Sequence, residues 1–339
     1  MVTKLTGTWN ILEEIKVKRK LMRFVVIALV LSMLTAMLTS CSVPDKETSS
    51  GTLNEAQEEV KPMRKNAMEG FEPEITAPSK YSISKLDVTY GEMVKTKYYS
   101  TTCEKDRNVI ILLPAGYDES KAYPVMYILH GIFGDETSMI GDGNSGTRIL
   151  LGNLMDEGLA EDMIVVFPYM YASKTQDVCT AIDIPNVEAY DNFVNDLVDD
   201  LMPFMAENYA VAQGRENTAV IGFSMGGRES LAIGLIRPDL FGYVGAIAPA
   251  PGLTPGRDWA MEHPGQFTEE ELVFDDESPY FLMICSGDRD GTVGTFPKSY
   301  HEIFTANGTE HIWYEIPGSD HGDPAITSGL YNFAKTIFK

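Results

Sequence analysis

Met163-Ile164-Val165-Val166-Phe167 is apolar at every position, and a strand of that kind needs both of its faces covered. Two β-rich runs, 109–113 and 123–129, precede it, and strand patterns recur at 218–223, 243–248, 280–285 and 311–316. Helical spacing separates them. Phe193, Leu197, Leu201, Phe204 and Met205 repeat at helical intervals with Asp and Glu between them, and further helices are expected over 227–236, 298–306 and 327–338. Strands separated by helices predict an α/β domain over 81–339, with a doubly wound, mostly parallel sheet and helices on both faces. In such sheets functional groups gather beyond the carboxyl ends of the strands.

The N-terminus reads as an address. Lys16, Lys18, Arg19, Lys20 and Arg23 form a positive stretch, and the apolar run 24–38 that follows is broken only by Ser32 and Thr35. At about 15 residues it suits a signal-peptide core better than a span of about 20. It ends in Leu38-Thr39-Ser40-Cys41, which resembles the lipobox of bacterial lipoproteins: small residues before the cut, then a thiol to receive diacylglycerol. Residues 1–41 are therefore expected to be a lipoprotein signal peptide, and the mature protein a lipid-anchored bacterial lipoprotein of the cell surface or a periplasm-facing membrane. The alternative is an uncleaved signal anchor with an incidental cysteine. Residues 42–80 are rich in Glu, Ser, Thr, Lys and Pro and read as a flexible polar linker.

Charge narrows the partners. The chain carries 27 Lys and Arg against 49 Asp and Glu, a net −22, and the basic leader makes the remainder more acidic still. Such a surface repels nucleic acid and anionic membranes, so membrane association is expected only through the lipid anchor. Cys103, Cys179 and Cys285 are widely spaced without a C-x-x-C pair, which leaves both a disulfide and free thiols open. The runs starting at Asp142 and Asp288 resemble calcium loops, but their twelfth positions are Asn153 and Ser299 rather than Glu. No metal or cofactor is expected.

Gly222-Phe223-Ser224-Met225-Gly226 sits between the apolar run 218–223 and a helix-compatible stretch. This is the context of a G-x-S-x-G elbow, in which a sharp strand-to-helix turn lifts the serine hydroxyl above the sheet and glycines admit the neighbouring backbone. Ser224 is the candidate nucleophile. A serine needs a base, and there are five histidines. His130 ends a strand, His263 lies in a Pro/Gly-rich insertion, His301 falls inside a helix and His311 starts a strand. His321, in the loop between the last strand and the last helix, is the candidate base. The orienting carboxylate should follow the penultimate strand, where Asp288 and Asp290 both stand. The expected oxyanion donors are the N–H groups of Met225 and Ile132, with His130 as a hydrogen-bonding support rather than a second base.

From about residue 81 onward the chain resembles the esterase D and feruloyl esterase group of α/β-hydrolases. The stretches that carry the resemblance are Tyr127-Ile128-Leu129-His130-Gly131, Asn208-Tyr209-Ala210-Val211, the block around Ser224 through Gly234, and Gly318-Ser319-Asp320-His321. The resemblance implies the α/β-hydrolase fold and a serine esterase working through an acyl-enzyme. It also implies a Gly-x-x-Asp pattern, which in Gly287-Asp288-Arg289-Asp290 selects Asp290 as the acid and leaves Asp288 as a turn residue. The substrate it implies is an ester attached to a polysaccharide, feruloyl or acetyl on plant-wall xylan. A siderophore or other small-ester hydrolase is the main alternative, and a catalytically idle surface binding protein a lesser one. The insertion 251–277, with Trp259, His263 and Phe267, departs from the group and is expected to lie over the site, which leaves open whether it acts as a lid.

Overall fold

The sheet forms where apolar runs can be covered on both faces. In the computed structural model, which describes residues 66–141, 146–274 and 277–339, ten strands and seven α-helices alternate along the described chain. Strands β1 (Glu92–Ser100) and β2 (Lys105–Leu113) form a hairpin, followed by β3 (Val125–Leu129), helix α1 (Thr147–Asp156) and β4 (Ile164–Pro168). Helices α2 (Ile184–Asp191), α3 (Phe193–Asp196) and α4 (Met202–Asn208) precede β5 (Thr218–Phe223) and α5 (Met225–Ile236). Then come β6 (Tyr243–Ile247), the short hairpin β7 (Gly256–Arg257) and β8 (Glu262–His263), β9 (Phe281–Gly287), α6 (Phe296–Ala306), β10 (Ile312–Ile316) and α7 (Ala325–Thr336).

Eight strands make the main sheet in the order β1-β2-β4-β3-β5-β6-β9-β10. From β4 to β10 the neighbours are parallel, and β2 alone is reversed, pairing antiparallel with both β1 and β4. Strands β3, β4, β6 and β9 are buried at every position, as their unbroken apolar runs require. The chain crosses from β4 back past β3 to β5, so β3 and β5 carry the switch in strand order near the middle of the sheet.

Three departures from the sequence expectation have physical causes. Strand β1 is an edge strand whose exposed positions include Glu92, Lys95, Lys97 and Tyr99, and such edge polarity dilutes the apolar signal. The helix expected over 193–205 is instead α3 and α4 joined by a π-helical turn at Leu197–Leu201. That turn goes with inward-facing acids. Asp200 accepts the N–H of Thr101 and of Thr102, and Asp196 faces Arg107. Finally, the folded part begins before residue 81. Ala67 N–H donates to Tyr280 O, Met68 is buried, and Glu74 accepts from Lys335 and Tyr331, so 66–80 packs on the domain instead of belonging to the linker. The expected leader, Cys41 and the linker up to residue 65 lie outside the described residues.

Candidate active site

The turn from β5 to α5 is built by what its neighbours exclude. A Cβ on Gly222 would lie 2.3 Å from the carbonyl carbon of Gly226, and one on Gly226 would lie 2.3 Å from Leu129 O. With both positions reduced to hydrogen, the chain folds back tightly enough to leave Ser224 at φ 58° and ψ −116°. A non-glycine residue there is strained by roughly 1–3 kcal/mol. The strain is held by hydrogen bonds: Ser224 N–H to Ile247 O at 2.9 Å, and Ser224 O accepting from Ala250 N–H at 2.9 Å and Arg228 N–H at 3.0 Å.

His321 meets this serine from the loop after β10. Its Nε2 is 2.9 Å from Ser224 Oγ and its Nδ1 is 2.7 Å from Asp290 Oδ2. The carboxylate can only accept, so the proton sits on Nδ1 and Nε2 is free to accept from the serine hydroxyl. The Phe223 ring packs against the imidazole at 4.6 Å between centroids. Asp290 is buried, and its Oδ1 accepts the N–H groups of Thr292 and Val293 at 3.0 and 3.1 Å. Burial works against its ionised form, but the bonds from His321 and those N–H groups outweigh it and hold the carboxyl below its ordinary pKa. Asp288 faces elsewhere and accepts Gly318 N–H at 2.6 Å, bracing the acid loop to the base loop. Arg289 N–H to Ser319 O adds a second brace at 3.0 Å.

The turn after β3 closes the other side. Gly134 N–H donates to Gly131 O at 3.1 Å, leaving Ile132 and Phe133 at the centre of the turn, with Phe133 at φ 63°. A Cβ placed on Gly131 would be 3.4 Å from Ser224 Cβ, so this turn lies against the serine. Phe133 N–H is engaged by the Tyr190 hydroxyl at 3.1 Å. Among the described residues no acceptor engages the N–H of Ile132 or of Met225, the first residue of α5. Both are available to a developing negative charge, and the helix N-terminus favours it. His130 is buried as a support, with its ring bonded to Gly131 O and Met170 N–H.

The other candidates resolve differently. His301 and His311 bond to each other at 2.8 Å, and His263 is buried 3.2 Å from Asp258. Cys103, Cys179 and Cys285 are unpaired. Residues 142–145 of the first calcium-like run lie outside the described residues. Much of the insertion is fastened to the body: Leu253 N–H donates to the Tyr300 hydroxyl, and Asn307 donates to Glu269 O and Leu272 O. Its hairpin carries Trp259, 71% exposed, whose indole N–H reaches Thr292 O at 3.2 Å, two residues from Asp290. Sequence reasoning missed the group behind α5. There the fully buried Arg228 contacts Asp191 and Glu229, and Gln266 of the insertion donates to both carboxyl groups. Nothing in periodicity or motif brings these four together.

Residues 100–306 match the Esterase family. A CE1 ferulic acid esterase from Anaeromyces mucronatus, solved with ferulic acid bound, is 46% identical, with a TM-score of 0.76 over 79% of this chain and 98% of that one. The feruloyl esterase module of Clostridium thermocellum, 20% identical with a TM-score of 0.57 over 79% of this chain and 96% of that one, shares the fold. An endo-1,4-beta-xylanase/feruloyl esterase of Xylanibacter ruminicola is 28% identical over 258 residues, 75% of this chain. The chain spans about a third, 32%, of that relative's length.

Proposed function

The chain belongs to the Esterase family as a feruloyl-esterase-like α/β-hydrolase, and from that premise we propose that it hydrolyses carboxylic esters, feruloyl esters of plant-wall xylan first and acetyl esters second. One observation carries the reaction type: the hydrogen-bonded run Asp290–His321–Ser224, with His321 between the other two at 2.7 and 2.9 Å.

The chemistry follows from that run. Ser224 Oγ attacks the ester carbonyl carbon while His321 Nε2 takes its proton, and Asp290 stabilises the imidazolium that forms. The carbonyl oxygen becomes an oxyanion between the N–H groups of Ile132 and Met225. Collapse breaks the bond to the alcohol oxygen, which leaves with the proton from His321, and the acyl group stays on Ser224. Water then attacks the acyl-enzyme, giving its proton to His321, which returns it to Ser224 as the acid departs. Ester and water become acid and alcohol, and the enzyme is regenerated.

The feruloyl preference draws support from the ferulic acid esterase at 46% identity and from the relative that joins a xylanase to a feruloyl esterase. Lipid attachment at Cys41, read from the sequence, would present the domain to external polymer. Release of ferulate and acetate from substituted xylo-oligosaccharides, measured beside a siderophore ester, tests the substrate. Ferulate release should be fastest. Siderophore cleavage with neither xylan ester touched would overturn the reading.

A further inference from the structure

Arg107 enters the interior from β2 with only 4% of its surface exposed. Its Nε lies 3.1 Å from Asp196 Oδ2, which also accepts the Tyr98 hydroxyl at 2.5 Å. A buried ion pair of this kind is a poor source of net stability, because desolvation offsets most of the attraction. Its geometry has a different consequence, which is to fix the direction of the guanidinium. Nη1 donates to Tyr171 O at 2.8 Å and Nη2 to Tyr169 O, so two carbonyls flanking Met170 are gripped by one planar group. Met170 N–H in turn donates to His130 Nε2 at 3.0 Å.

That bond determines the tautomer. An N–H can only donate, so Nε2 is unprotonated and the ring proton sits on Nδ1, which donates to Gly131 O at 2.7 Å. Gly131 O also receives Gly134 N–H, closing the turn that carries Ile132. The Tyr169 ring stacks on His130 at 5.8 Å and 18°, and the Arg107 guanidinium lies 5.4 Å from the centre of that same ring. Burial, the largest influence on His130, lowers its pKa to about 4, so its ring stays neutral around neutral pH.

We propose that Arg107, acting through the 169–171 backbone and His130, is a positioning residue that fixes the Ile132 N–H for the oxyanion. The proposal rests on the esterase reading above for its kinetic consequence, but the mechanical linkage is independent of it. Arg107 touches no reacting atom, and nothing in its sequence surroundings marks it.

The test is a cycle of Arg107→Lys, His130→Ala and the double variant, assayed on one aryl ester with thermal midpoints recorded. Lysine keeps the charge beside Asp196 but lacks the planar fork whose separate nitrogens reach Asp196, Tyr169 O and Tyr171 O together. Each single variant should lower kcat about ten- to a hundredfold with KM within about twofold, because a misplaced donor weakens only the transition state. The double variant should be no worse than His130→Ala, since both act along one linkage. Amide exchange of Phe133 and Gly134 should accelerate in both single variants. His130→Gln, which retains an acceptor for Met170 N–H, replaces the alanine variant if that one does not fold. Normal kcat in Arg107→Lys, losses that multiply in the double variant, or unchanged exchange at Phe133 and Gly134 would overturn the proposal. A wild-type protein that hydrolyses no ester, together with accelerated Phe133 and Gly134 exchange in both single variants, would overturn the functional reading and leave the linkage standing.

Discussion

Asp290→Asn changes little in shape but reverses the preference for which imidazole nitrogen carries the proton. Turnover should fall by as much as roughly 10⁴-fold, as in the serine-protease case. Asp288→Asn, whose carboxylate holds Gly318 N–H instead of His321, should fall far less. Steady-state rates of both variants on one aryl ester decide between them. At this scale the site was largely legible. Ser224 was marked by its glycines and His321 by its place after the last strand, whereas Asp290 needed a family pattern to separate it from Asp288. The group formed by Arg228, Asp191, Glu229 and Gln266 was illegible, because it joins residues from three elements by tertiary packing alone. It carries its own prediction. Asp191 sits against one cation and a second carboxyl, and desolvation above all pushes its pKa above the ordinary carboxyl range, against the opposing pull of Arg228. The unfolded chain releases this proton above about pH 4, while the folded protein retains it. Stability from this group therefore declines as pH rises above about 4. Asp191→Asn should remove that decline and gain thermal stability relative to wild type as pH goes from 5 to 8. A difference in melting temperature that stays constant with pH would contradict the assignment.

Elements were easiest to read where burial was complete. The expected strand at 218–223 coincides with β5 and 243–248 differs from β6 by one residue, because runs buried on both faces have no exposed positions to blur them; 311–316 also differs from β10 by one residue, although Glu315 is exposed on that edge strand. Edge strand β1 and helix α1 left weaker traces. Gly152 interrupts the helical signal of α1 because a Cβ there would lie 2.5 Å from the Tyr90 ring. The π-turn at Leu197–Leu201 was hidden for another reason: its apolar residues keep helical spacing while Asp196 and Asp200 turn inward to ligate neighbours. The elbow is the element on which most depends. Gly226→Ala would place its methyl 2.3 Å from Leu129 O, a backbone atom of the adjacent strand that cannot move aside. Loss of soluble, cooperatively folding protein is expected, as judged by circular dichroism and thermal melting. A normally stable Gly226→Ala protein would mean that the turn is not as tight as described.

For the molecule as a whole, the boundary of the domain is the clearest revision. A protein starting at residue 66 keeps Met68 in the core and Glu74 against Lys335, Tyr331 and Asn332, whereas one starting at 81 loses all of these. The shorter protein should melt roughly 4–8 °C lower, from the lost apolar burial alone. Equal melting temperatures would show that 66–80 contributes nothing. Polar composition hid this segment, since a few anchors suffice to dock an otherwise hydrophilic stretch. In cells, Cys41→Ala should release the protein or leave it unprocessed, and unchanged size with membrane retention would favour a signal anchor. The central claim, that an ester's acyl group passes through Ser224, is tested most directly by trapping it. Wild-type protein mixed briefly with a feruloyl ester and quenched in acid should yield a feruloylated peptide containing Ser224, and Ser224→Ala should yield none and release no ferulate. Ferulate release by a folded Ser224→Ala protein, or the acyl group on another residue, would contradict it.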